Sequence, residues 1–183
     1  MPFHHTSIKG LQVFEPQVWG DDRGYFFESY NLQTFEQAGI PNAFVQDNQS
    51  KSSYGVLRGL HYQLPPFSQA KLVRVLEGEV LDVAVDIRPD SATYGQHFSI
   101  LLTAENQKQL FIPRGFAHGF VVLSPTAVFA YKCDNFYNKE ADAGIRFDDP
   151  QLGIDWTIDP ADIILSDKDD KQPAFGQHKA LVV

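Results

Sequence analysis

The sequence predicts an all-β fold of the jelly-roll type, a barrel of antiparallel strands with a few short helices. Apolar and polar residues alternate with a period of two through the middle of the chain. Gly, Pro, Asn and Asp separate the alternating runs, and helical periodicity is rare. Short strands that recur at this spacing are typical of sandwiches and barrels.

Six segments alternate most clearly and are predicted as strands. They are residues 71–76, 79–87, 97–103, 109–112, 118–123 and 128–133. Turn residues separate several of them, at 77–78, 88–90 and 113–115. A further strand over residues 56–63 carries Arg58 and His61 among apolar neighbours.

Helical signals are limited to two places. Asn31 is a suitable N-cap for a helix over residues 31–38, which Gly39 and Pro41 would end. A short helical turn is expected after Pro160. Because the chain contains neither a repeat nor a linker, we expect its 183 residues to form one domain.

Alternation also predicts which side chains share a face. The strand over residues 79–87 has two faces, Leu81, Val83, Val85 and Ile87 on one and Val80, Asp82, Ala84 and Asp86 on the other. Two carboxylates therefore line the second face. Lys71 shares a side with Val73 and Val75, so it points either into the barrel or towards a neighbouring sheet.

Composition excludes some classes of partner and favours one compartment. The formal net charge of −8 argues against a nucleic-acid or anionic-membrane binder, since both need a basic field. Cys133 is the only cysteine, so no intrachain disulfide can form, and a reducing compartment suits the chain. We find no export signal and no apolar run of about 18 residues, and we therefore expect a cytoplasmic protein.

A metal centre is not expected. A small β-barrel often holds a metal with clustered His and carboxylate ligands. Here no second His or acidic residue follows His61 in its loop, and His97 and His118 stand on separate strands. A site would require convergence of distant residues, and we predict neither a metal nor another cofactor.

His61 is the leading candidate for proton transfer, because imidazole exchanges protons near neutral pH. Such a base needs a carboxylate to fix its tautomer. The sequence offers several candidates and does not choose between them: Asp82, Asp86, Asp167, Asp169 and Asp170. Tyr131 shares a strand side with Phe129 and Cys133, so its phenol is a candidate acid in the interior.

Several donors suit a phosphate or pyrophosphate group, namely Arg23, Arg58, Gln46, Asn48 and Lys168. Strict alternation places Arg58 and His61 on opposite faces of one strand. Either Gly59 marks a bulge that redirects the chain, or the two side chains serve different surfaces.

Five segments in order along the chain closely resemble the dTDP-4-dehydrorhamnose 3,5-epimerase family. They are residues 20–29, 44–50, 57–63, 112–120 and 165–169, and the similarity extends from about Val13 to Asp169. This family consists of metal-free cupins that act in dTDP-L-rhamnose biosynthesis. Its members epimerise C3 and C5 of a 4-keto-6-deoxyhexose linked to thymidine diphosphate.

The resemblance implies four catalytic roles. His61 corresponds to the general base, and Asp169 to its orienting partner. Lys71 corresponds to the cation that stabilises the enolate oxygen, and Tyr131 to the acid that returns a proton on the opposite face. Such a division suits an inversion, which removes a proton on one side and delivers one on the other.

The resemblance also implies nucleotide-binding roles. Residues that hold the diphosphate or sugar are Arg23, Arg58, Gln46, Asn48, His118 and Lys168, and those around the thymine and deoxyribose are Trp19, Phe26, Glu28 and Tyr137. Trp19 stands where the family more often has Phe. Because the family's site borrows N-terminal residues from a second subunit, we expect a homodimer.

Three alternatives remain at this point. A sibling epimerase that acts on one carbon would need the same catalytic residues. A non-catalytic cupin that binds sugar nucleotides needs only the aromatic and arginine residues. A metal-dependent cupin isomerase or dioxygenase would bind stoichiometric metal.

Overall fold

A computed structural model describes residues 2–181 of the protein. Its strands are β1 (Phe3–His5), β2 (Gln12–Phe14), β3 (Trp19–Asp21), β4 (Gly24–Phe26), β5 (Gln46–Ser53), β6 (Leu57–Gln63), β7 (Lys71–Glu77), β8 (Glu79–Asp86), β9 (His97–Thr103), β10 (Gln109–Ile112), β11 (Phe116–Val122), β12 (Thr126–Cys133) and β13 (Asp142–Gly144). The helices are α1 (Leu32–Gln37) and α2 (Asp167–Asp170), with a 3-10 turn at Pro160–Asp162. Within these residues no helix is long and apolar enough to cross a membrane.

Two antiparallel sheets form the barrel and confirm the predicted all-β class. One has the order β1-β2-β10-β7-β12-β5 and the other the order β13-β6-β11-β8-β9, while β3 and β4 form a separate hairpin. All six predicted strands are present, although β11 and β12 begin two residues earlier than predicted. The predicted helix is α1, where the Asn31 side chain accepts hydrogen bonds from the backbone of Gln33 and Thr34.

The main core lies between the two sheets. Val73 and Val75 of β7 meet Val80 and Ala84 of β8 there, together with Phe129 of β12. The side of β8 that carries Asp82 and Asp86 is thus the interior, and the two carboxylates share one face, as alternation predicts. Lys71, on the same side of β7 as the two valines, belongs to the interior face as well.

Each sheet is covered on its outer face. On the five-stranded sheet, Leu81, Val83 and Val85 pack with residues of the C-terminal segment that include Leu152 and Trp156. On the six-stranded sheet, α1 and the first strands contribute a second apolar layer around Phe14, Phe35, Leu72 and Phe111. Since both outer faces are occupied, polar side chains that point inward are held between two fixed walls.

Candidate active site

A cavity of about 300 Å³ lies among residues of both sheets and of α2. It is lined by Gln46, Asn48, His61, Tyr62, Gln63, Gln69, Lys71, Tyr131, Tyr137, Asp142 and Lys168. Seven residues singled out from the sequence therefore meet in one place. His61 reaches the cavity from β6, and Tyr131 reaches it from β12 in the opposite sheet.

His61 pairs with Asp169, which lies 108 positions further along the chain. Nε2 of His61 donates a hydrogen bond to Oδ1 of Asp169. This contact leaves Nδ1 as the ring nitrogen that can accept a proton. The Asp169 carboxylate is almost fully buried, whereas 28% of the His61 side chain is exposed.

The start of α2 fixes the Asp169 carboxylate. Ser166 is the N-cap of α2, and its Oγ donates to Oδ2 of Asp169 at 2.8 Å. In return, the Asp169 backbone N–H donates to Ser166 Oγ at 3.2 Å. Burial raises the pKa of Asp169, but the hydrogen bonds from His61 and Ser166 outweigh it and hold the pKa below its usual value.

The other carboxylates considered for His61 have different surroundings. Asp82 accepts a hydrogen bond from Nε2 of His118 at 2.9 Å. Asp86 accepts hydrogen bonds from Arg88, Ser91 and Thr93. Burial raises the pKa of Asp86, yet these hydrogen bonds lower it to about 2. Of the acidic residues in α2, Asp167 and Asp170 are exposed.

A bulge at Gly59 explains how Arg58 and His61 share one face. On β11, His118 is opposite His61 and Phe120 is opposite Arg58, so β6 contains one more residue than β11 between these pairs. Opposed residues point to the same side of a sheet, so both Arg58 and His61 face the barrel. Only glycine fits here, since a Cβ on Gly59 would lie 2.5 Å from Cα of Gly119.

Lys71 and Tyr131 form the other wall of the cavity. Nζ of Lys71 lies 5.8 Å from the centroid of the Tyr131 ring. Burial lowers the pKa of Lys71, and negative charges, including that of Asp82, oppose this effect. Burial raises the pKa of Tyr131, while the charge of Arg58 opposes the increase. The phenol is therefore neutral and able to donate a proton at neutral pH.

Amide side chains on β5 extend this wall. Gln46 Nε2 donates to Asn48 Oδ1 at 3.1 Å, and the Tyr137 backbone N–H donates to Gln46 Oε1 at 3.1 Å. Asn48 stands opposite Tyr131 in the sheet. The two amides are thus ordered beside the phenol, with polar atoms available to a bound molecule.

Sequence reasoning missed Asp142. Its Oδ2 accepts hydrogen bonds from Lys168 and from the Tyr137 hydroxyl, the latter at 3.1 Å. It therefore links two residues predicted to bind the substrate. No signal in the sequence marked it, because β13 has only three residues and no alternating pattern.

The structure does not bring every predicted residue to the cavity. Trp19, Arg23 and Phe26 lie on the β3–β4 hairpin, where Trp19 and Phe26 are 56% and 70% exposed. Arg23 donates instead to Asp21, and Glu28 accepts from Asn31 at 3.1 Å. This exposed aromatic hairpin is separate from the wall that holds His61.

His118 lies beside the cavity rather than among its lining residues. It is directly opposite His61 in the sheet, and it is 7% exposed. Burial lowers the pKa of His118, an effect that the Asp82 charge opposes, so the imidazole is neutral at neutral pH. Distant histidines do converge here, yet no group of three metal-ligating side chains occurs among residues 2–181.

Together, the two-sheet barrel and the ionisable groups inside it define a cupin-type protein with a site equipped for proton transfer. The sequence model of the dTDP-4-dehydrorhamnose 3,5-epimerase family matches residues 5–177. The chain therefore belongs to this family.

Individual relatives agree with this assignment. The dTDP-4-dehydrorhamnose 3,5-epimerase of Shigella flexneri is 54% identical over 165 residues, 90% of each chain. The crystal structure of the enzyme from Elizabethkingia anophelis has a TM-score of 0.92 and 57% identity, covering 95% of this chain and 96% of that one. A dTDP-6-deoxy-D-glucose-3,5-epimerase of Legionella pneumophila, in complex with dTDP-4-keto-L-rhamnose, has a TM-score of 0.92 and 49% identity, covering 96% and 93%.

Proposed function

We propose that the protein inverts C3 and C5 of dTDP-4-dehydro-6-deoxy-D-glucose and so forms dTDP-4-dehydro-L-rhamnose. The observation that carries this proposal is the arrangement of His61 and Tyr131, which reach one cavity from opposite sheets. Inversion needs a base on one face of the sugar and an acid on the other. The family assignment supports the substrate.

Each inversion follows the same sequence of proton transfers. Nδ1 of His61 takes the proton next to the C4 ketone, and Asp169 stabilises the imidazolium. The Lys71 ammonium stabilises the negative charge that develops on the C4 oxygen. The Tyr131 hydroxyl then donates a proton to the other face of the carbon, and solvent restores both side chains. Arg58, Gln46, Asn48, His118, Tyr137 and Lys168 hold the substrate.

Deuterium exchange tests the reaction. Incubation of the protein with dTDP-4-dehydro-6-deoxy-D-glucose in D₂O should place deuterium at both C3 and C5, as observed by NMR. Tyr131→Phe should still exchange deuterium through His61 but should invert the carbons at least about 100-fold more slowly, because the acid is missing. Label at one carbon would instead identify a single-carbon epimerase, and no label at either would refute an epimerase role.

We further propose a cytoplasmic homodimer in which the β3–β4 hairpin completes the partner's site. The exposure of Trp19 and Phe26, whose rings stack on each other across the hairpin, supports this, since an exposed aromatic surface is a common protein or ligand contact. Arg23, Trp19, Phe26 and Glu28 would then contact the nucleotide of the other subunit.

Subunit mixing tests the shared site. Arg23→Ala and His61→Asn should each have little activity, and a mixture allowed to exchange subunits should regain it through dimers with one intact site. Sedimentation should show two copies of the chain. A monomer, or a mixture that stays inactive after exchange is verified, would contradict the shared site.

A further inference from the structure

Gln63 is a buried residue of the cavity that has no role in the steps proposed above. It is the last residue of β6, two positions after His61 and on the same face of the strand, and it is 6% exposed. A buried carboxamide is costly unless its donors and its acceptor find partners. The partners of Gln63 therefore show what this side chain holds in place.

The Gln63 carboxamide is hydrogen-bonded to the chain on both sides of Tyr137, in the loop between β12 and β13. Its Nε2 donates to the Phe136 carbonyl oxygen at 3.3 Å, and its Oε1 accepts from the Asn138 backbone N–H at 2.7 Å. Nε2 also donates to the Phe67 carbonyl oxygen at 2.8 Å. Both peptide groups that flank the Tyr137 Cα are therefore hydrogen-bonded to one buried side chain.

The ring of Tyr137 is fixed at its other end by the residue opposite Gln63. Asp142 stands opposite Gln63 in the β6–β13 pair, and its Oδ2 accepts a hydrogen bond from the Tyr137 hydroxyl at 3.1 Å. Between these two anchors Tyr137 is 56% exposed. An aromatic ring that is held at both ends and still accessible is suited to stack on a planar base.

We propose that Gln63 is a positioning residue, which holds the Tyr137 ring in place for the nucleobase and so increases affinity for the nucleotide. This inference rests on the proposed function, in which Tyr137 helps to hold the nucleotide sugar. An aromatic residue on an unrestrained loop loses conformational freedom when a ligand binds, and that loss weakens binding. Hydrogen bonds from a buried strand residue impose the order in advance. In this role Gln63 affects binding and not proton transfer.

Binding of dTDP and of inorganic pyrophosphate tests this role. Gln63→Met has a side chain of similar length that cannot hydrogen-bond to the loop. In calorimetric titrations it should weaken dTDP binding by about tenfold and leave pyrophosphate binding within about twofold, because only dTDP has a base to stack. With the substrate, KM should rise by about tenfold while kcat changes by less than about threefold. An unchanged Kd for dTDP, or an equal loss for both ligands, would overturn the proposal.

A double-mutant cycle with Tyr137→Ala separates positioning from a general structural effect. If Gln63 acts through the Tyr137 ring, Gln63→Met should weaken dTDP binding by less than about twofold once the ring is absent. An equally large loss in both backgrounds would show that Gln63 acts by another route, and the proposal would fail.

Ser68→Ala is the matched control. The Ser68 Oγ donates to the main-chain carbonyl oxygen of Gln63 at 3.1 Å, so this variant removes a hydrogen bond at the same residue but leaves those to the Tyr137 loop. It should bind dTDP like the wild type. A loss as large as that of Gln63→Met would contradict a specific role of the carboxamide. If Gln63→Met does not fold, Gln63→Glu keeps the acceptor for Asn138 but lacks both donors, and it should lose more affinity for dTDP than for pyrophosphate.

These binding measurements do not depend on catalysis. A protein that binds dTDP and shows the coupling between Gln63 and Tyr137, but does not epimerise the sugar, would refute the proposed function and retain the positioning role. Epimerisation by a protein whose dTDP affinity is insensitive to Gln63→Met would refute the positioning role alone. A wild type that does not bind dTDP would overturn both.

Discussion

The barrel contains two imidazole–carboxylate pairs side by side, and they differ in burial. His61 and His118 stand directly opposite each other on β6 and β11, and Nε2 of each donates to an aspartate. The His61 side chain is 28% exposed and lines the cavity, whereas that of His118 is 8% exposed. The same chemical pair can therefore exchange protons with a substrate in one place and act as a fixed dipole in the other.

The carboxylates differ in a corresponding way. Both oxygens of Asp169 are hydrogen-bonded, one to His61 and one to Ser166. Asp82 has a partner for one oxygen only within the described residues. Two hydrogen bonds therefore hold the Asp169 carboxylate in place, whereas a single hydrogen bond, from His118, holds the Asp82 carboxylate.

Removal of each imidazole should give the largest difference between the pairs. We expect His61→Asn to lower kcat by about 10³-fold, because a general base is lost. His118→Asn should lower kcat/KM by only about tenfold, because it removes one proposed substrate contact and no proton-transfer group. Steady-state kinetics with both variants, each shown by circular dichroism to be folded, checks this order. Equal losses would mean that the pairs do not have separate roles.

Replacement of the Asp169 carboxylate should have the next largest effect. We expect Asp169→Asn to lower kcat by about 10²-fold, since an amide cannot stabilise the imidazolium and can favour the wrong tautomer. Asp170→Asn, an exposed neighbour in the same short helix, is the control and should keep wild-type kinetics. A wild-type rate for Asp169→Asn would show that the His61–Asp169 pair is no more important for the reaction than the His118–Asp82 pair.

The sequence predicts features of the site that depend on neighbouring residues in one strand better than features that depend on a second strand. Alternation along β8 correctly placed Asp82 and Asp86 on one face, because the direction of a side chain in a regular strand is a local property. Alternation did not indicate that this face is the interior one. Alternation failed between Arg58 and His61, where one extra residue at Gly59 shifts the register. The sequence marked Gly59 as a possible bulge, but the partner strand decided it.

Residue patterns alone could not identify which carboxylate pairs with His61. Asp169 is 108 positions away, and five carboxylates were equally suitable until the resemblance to a family favoured one. Asp142 was missed because its contacts with Lys168 and Tyr137 join short elements with no periodicity. The catalytic and binding roles of these residues stay predictions, which the variants above address.

The smallest expected effect concerns stability at acid pH, and it tests whether the charge of Asp169 stabilises the folded protein. The pKa of Asp169 in the folded protein lies below its ordinary value of 3.8, so the charged carboxylate stabilises the fold above that value. Relative to Asp169→Asn, the wild type should gain about 1–2 kcal/mol in the free energy of unfolding near neutral pH. The gain should disappear as pH falls below 3.8 through the lowered pKa, because the protonated carboxyl loses its advantage over the amide. Thermal unfolding of both proteins between pH 7 and pH 2, in the same buffer series, measures the difference. A gain that does not change with pH would show that hydrogen-bond geometry, and not the charge of Asp169, stabilises this pair.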